Sequence, residues 1–165
     1  MTVTSVIPDH DACTLTLTAE YAAPVDRVWQ LWADPRQLER WWGPPTYPAT
    51  VLTHDLRPGG RVTYVMTGPE GDRHAGWWSI LSVDAPTGLE FDDGFGDPDD
   101  PPSPEAPVTR TSVTIADAGD GKTRMVLVGS FPSAEAMTQL IAMGMQEGLT
   151  AAVGQTDELL MALSG

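Results

Sequence analysis

The residues of this chain that could do chemistry are few and scattered. There are three histidines, His10, His54 and His74, and none stands in an HxH or HExxH spacing, so no local zinc site is offered. Cys13 is the single cysteine; it has no disulfide partner and no adjacent histidine to take its proton. No serine occupies a GxSxG elbow. His54, between Leu52 and Leu56 on one strand face, has the setting of a hydrogen-bonded core histidine more than of a catalytic base. His10 and His74 fall at a strand edge and beside a turn. The expectation is no catalytic residue, no metal and no cofactor, with the balance against an enzyme.

Six acids crowd one segment: Asp92, Asp93, Asp97, Asp99, Asp100 and Glu105. Their spacing departs from the EF-hand loop, and the five prolines among them oppose its winding. Asp92–Pro107 therefore reads as a solvated, mobile acidic flap, not as a calcium site. Phe95, flanked by Gly94 and Gly96, is its apolar exception and is placed as a latch across a pocket mouth.

Binding is better represented than catalysis. Gly144 and Gly148 sit one turn apart in a helical stretch, where each glycine costs about 1 kcal/mol relative to alanine. Either the helix approaches a sheet closely there, or room is kept for a ligand; the sequence leaves both open. Gln155 returns to the same edge and either meets a buried ligand or caps a backbone group. The six tryptophans form the pairs Trp29 with Trp32, Trp41 with Trp42, and Trp77 with Trp78. For the set as a whole, core filling outweighs a dedicated cage. Of the last pair Trp78 is placed inward, sharing parity with Ile80. The candidate ligand-binding set on the sheet side is Trp42, His54, Tyr64, Met66, Trp78 and Phe95. On the helix side it is Ile141, Gly144, Met145, Gly148 and Gln155.

The elements that must position these residues follow from periodicity. Cys13–Tyr21 alternates as a first strand. Pro24 opens a short helix marked by Val25, Val28, Trp29 and Trp32, and Asp34-Pro35 restarts a second through Leu38 and Trp41. Six further strands are read at Ala49–Leu56, Val62–Met66, His74–Val83, Gly88–Asp92, Val108–Ile115 and Thr123–Phe131, with Ala118-Gly119-Asp120-Gly121 as a hairpin turn. Ser133 caps one long amphipathic helix that runs to Leu163.

Composition bounds the partners. The 165 residues suit a single domain, and 23 acidic against 9 basic residues give a net charge of −14, which repels nucleic-acid phosphates and anionic lipid. No segment has the length of a membrane span or the form of a secretory signal, so the expected location is cytoplasmic. The expected partner is a small apolar or amphipathic ligand, without nucleic acid or membrane insertion; a homodimer stays open.

Three motifs carry a family resemblance: RWWGPP at Arg40–Pro45, DLRPGGR at Asp55–Arg61, and MGMQEGLTAAVGQTDELL at Met143–Leu160. From roughly Glu20 onward the chain resembles the homologues of the activator of the heat-shock chaperone ATPase, a branch of the START-like (SRPBCC) superfamily. The resemblance implies an α+β helix-grip fold, a curved antiparallel sheet of about seven strands around a long C-terminal helix, with a hydrophobic pocket between them. It implies ligand binding, with a pocket enzyme of cyclase or hydrolase type, or a chaperone-activating module, as alternatives. The co-chaperone role depends on a further domain for which this chain leaves no room. Many relatives carry a glutamate in the fourth strand near Ile80; GWWSILSV has none.

Overall fold

The computed structural model describes residues 3–95, 108–142 and 144–164, with side chains omitted at 95 and 161–164. Eight strands form one antiparallel sheet: β1 (Val3–Asp9), β2 (Thr14–Tyr21), β3 (Ala49–His54), β4 (Arg61–Thr67), β5 (Arg73–Asp84), β6 (Gly88–Phe95), β7 (Thr109–Gly119) and β8 (Lys122–Ser130). Their order across the sheet is β1-β2-β8-β7-β6-β5-β4-β3. Helices α1 (Val25–Ala33) and α2 (Pro35–Trp41) lie between β2 and β3, and α3 (Ala134–Ala142), α4 (Met145–Gly154) and α5 (Thr156–Ser164) follow β8. This is the α+β helix-grip architecture. Among the described residues no helix is long and apolar enough to cross a membrane.

The alternation of β2 does what its pattern predicts: Leu15, Leu17, Ala19 and Tyr21 are all buried on one face. The helical corner is pinned by side chains. Asp34 accepts a hydrogen bond from the Arg36 backbone N–H at 2.9 Å, and the Trp41 indole N–H donates to the Leu31 carbonyl at 2.9 Å. Trp29, Trp32, Trp41 and Trp78 are buried in the main core with Phe91, which stacks on Trp78 at a centroid distance of 4.1 Å.

Four sequence expectations need correction. The sheet has eight strands, because β1 adds an edge strand. Its Pro8 and sparse apolar positions hide it, yet an edge tolerates proline since one side of the strand needs no ladder bonds. The single long C-terminal helix is three. Gly144, at φ +92°, breaks it before α4, and Gln155 follows α4 with helical angles but bonds locally before α5 begins. The acidic flap does not start at Asp92, because β6 continues through Asp92 and Asp93 with β5 and β7 on its flanks. The remainder of the expected flap, residues 96–107, and the Phe95 side chain lie outside the described residues. Leu52, read as an inward neighbour of His54, is 54 % exposed, because the β3–β4 register shifts between Val51 and Thr53.

A second irregularity settles the Trp77–Trp78 pair. Trp78 and Ile80 point inward, and the β5–β6 register then shifts between Ile80 and Ser82. Leu81 faces outward with Trp77, as their shared parity requires, and the shift returns Val83 to the core side, so that parity does not extend to Val83. Trp77 covers the opposite face, over Gly94, where a Cβ would lie 2.7 Å from its ring.

Candidate functional site

A cavity of about 270 Å³ lies between the inner face of the sheet and the α3–α4 region. Tyr64 and Met66 of β4, Asp93 of β6, and Thr109 and Thr111 of β7 form part of its sheet wall. Met145, Gly148 and Leu149 of α4 face them, while Trp42 and Pro44 close one side. Most of this wall is apolar.

The helix side is open because of glycine. A Cβ built at Gly148 would meet nothing within 4 Å, so the sheet does not press on the helix there. Of the two readings of the glycine edge, close approach fails at Gly148 and open space holds. Gly144 serves a different end, supplying the left-handed turn that starts α4.

Trp42 owes its place to the junction of the last two helices. The Gln155 side-chain amide donates to the Gly43 carbonyl at 2.8 Å and to the Trp41 carbonyl at 3.3 Å. Gly43 is needed in that loop, since a Cβ would run into the Tyr47 carbonyl and the Ala49 backbone nitrogen. Tyr64 is held likewise: its ring end lies across Gly76 on the neighbouring strand, in the space a Cβ would take. The indole N–H groups of Trp42 and Trp78 are buried without a hydrogen-bond partner. Both approach the Tyr64 oxygen without reaching hydrogen-bond geometry, and their partial positive charge there favours the phenolate slightly. Burial, reinforced by Asp93, outweighs them and raises the Tyr64 pKa, so the phenol stays protonated.

Asp93 is the polar surprise. Leu89 and Phe91 face the core from β6, and Asp93 follows at the same parity, while Asp92 turns outward to pair with Arg110 at 2.8 Å. Asp93 accepts a hydrogen bond from Thr111 at 3.2 Å. Asp93 is partly buried, near the end of β6 on the cavity wall. Burial pushes its pKa up to about 7, with the Thr111 hydrogen bond opposing and Asp92 adding a little.

The Activator of Hsp90 ATPase homolog 1-like family model matches residues 22–161. The chain belongs to that family. Two solved structures share its full architecture. Protein Ms6760 from Mycobacterium smegmatis is 53 % identical with a TM-score of 0.88, over 98 % of this chain and 99 % of that one. A protein from Arthrobacter aurescens is 46 % identical with a TM-score of 0.92, over 98 % and 93 %. A Staphylococcus epidermidis protein, 23 % identical with a TM-score of 0.82 over 96 % and 94 %, shares the fold. No curated protein matches the chain.

Within this family member, the structure places Trp42, Tyr64, Met66, Gly144, Met145 and Gly148 on the cavity wall. Four other candidates lie away from it. The His54 Nε2 sits 3.0 Å from the Trp32 carbonyl and is spent on the end of α1. Trp78 is fully buried behind the wall in the aromatic core, and Ile141 packs in a second cluster with Leu15 and Phe131. Gln155 caps the loop carbonyls, the backbone alternative of its two readings. Phe95's side chain is outside the described residues. Sequence reasoning missed Asp93, Thr109 and Thr111. The signal was the Leu89-Phe91-Asp93 parity, obscured because Asp93 was counted with the acidic run.

Proposed function

We propose that this protein binds a small, mainly apolar ligand in the cavity between the sheet and α4. The observation that carries the reading is the open space at Gly148. A helix pays in stability for a glycine, and here no tight packing accounts for it, whereas a neighbouring molecule would. The apolar wall with a few convergent polar groups fits the same reading. A cytoplasmic location belongs to it, consistent with the lone cysteine. Native mass spectrometry of protein purified from its own source tests it. The expected result is a non-covalent adduct that disappears on denaturation and is absent from Gly148→Leu. Ligand-free protein, with unchanged amide resonances on exposure to a panel of apolar compounds, would overturn it.

One observation favours a second reading, a pocket enzyme. Asp93 and Thr111 place a carboxyl and a hydroxyl 3.2 Å apart on one cavity wall, and a carboxyl that titrates near neutrality suits proton transfer. Turnover of a retained ligand, lost in Asp93→Asn, would support it over simple binding.

A further inference from the structure

We propose that Asp93 is the polar anchor of the cavity and selects ligands that carry a protonated amine on a compact aromatic body. The inference rests on the binding reading above and names the chemistry of its ligand.

The groups around Asp93 are all uncharged. Beside it on the sheet stand Trp78 on β5, Tyr64 on β4, and Thr109 and Thr111 on β7, and the rest of the cavity lining includes Trp42 in the loop and Met145 and Gly148 on α4. Its neighbour Asp92 faces outward and is paired with Arg110. Among the described residues no lysine, arginine or histidine lines the cavity, and residues 96–107 and 143 contain none. A ligand carboxylate or phosphate would therefore meet a carboxyl with no counter-charge, inside a protein of net charge −14. A carboxylate offers about four acceptor sites. Thr111 fills one. A protonated amine brings up to three donors and the missing charge, and the faces of Trp42 and Tyr64 favour a cation beside them. With its carboxyl titrating at about 7, Asp93 is available to such a ligand above neutrality and is lost to it below.

Three probes of similar shape separate the cases: naphthylethylamine, naphthylethanol and naphthylacetate, measured by calorimetry on wild type and Asp93→Asn at about pH 8 and about pH 6. The amine should bind at least about tenfold tighter than the alcohol at the higher pH, lose most of that advantage at the lower, and lose it at both in D93N. The alcohol should bind alike throughout, which also reports that D93N is folded, and the acetate should be weakest. In wild type the carboxyl-carbon resonance of Asp93 should titrate at lower pH when the amine is bound. Equal affinity for amine and alcohol, or an amine preference that survives D93N, would overturn the inference while leaving the pocket intact. Failure of all three to bind would overturn the pocket reading beneath it.

Discussion

Gln155 ties the α4–α5 junction to Gly43, donating its side-chain amide across 2.8 Å to a loop carbonyl 112 residues earlier in the chain. The same amide reaches the Trp41 carbonyl, so one side chain fixes the loop from which Trp42 walls the cavity.

Gln155→Leu should leave both carbonyls without that donor. The expected loss is about 1–3 kcal/mol of stability, read from urea unfolding. Ligand affinity should fall with it, because Trp42 is no longer held in place. An unchanged urea midpoint together with unchanged affinity would show that the loop is held by its own backbone.

The two helix glycines should separate on substitution. Gly148→Leu places a side chain in open space, so it should abolish ligand binding with little change in thermal midpoint, and its better helix propensity offsets any crowding. Gly144→Leu forces a branched side chain into the left-handed region and should lose about 1 kcal/mol or more. Thermal unfolding of both variants checks the contrast.

Asp93 should imprint a pH dependence on stability of the sign opposite to a salt-bridged carboxylate. Its folded pKa is raised from 3.8 to about 7, so between those values the folded state binds more protons than the unfolded one. Stability should therefore fall as pH rises through that window, by roughly a few kcal/mol at most, and level off above it. Asp93→Asn, neutral at every pH, should flatten this slope and be more stable than wild type at about pH 8. Urea unfolding across the range measures it.

Tyr64 and Gly76 should behave as a coupled pair. Gly76→Ala pushes a methyl group into the Tyr64 ring end and should lose about 1–3 kcal/mol. Tyr64→Leu removes the clash, so the double variant should be more stable than the two single losses added together, a non-additivity that a double-mutant cycle reads directly.

What the sequence by itself determined was whatever depends on local periodicity. The alternation of Leu15, Leu17, Ala19 and Tyr21, the Asp34-Pro35 restart and the turn read at Ala118-Gly119-Asp120-Gly121 each act within a few residues, and each forms, although β7 runs on through Gly119 before the chain reverses. The family motifs added the fold and the presence of a cavity side on α4. Tertiary structure decided the rest. Register shifts at Leu52 and Leu81 change which face a side chain takes, and they depend on the neighbouring strand, which no local pattern contains. Gly144 looked like part of a smooth helical stripe, but it takes the left-handed conformation that glycine adopts most readily and separates α3 from α4. Asp93 lost its character as one acid in a solvated run when β5 and β7 enclosed β6, because burial sets the protonation of a carboxyl and only the folded neighbours supply it.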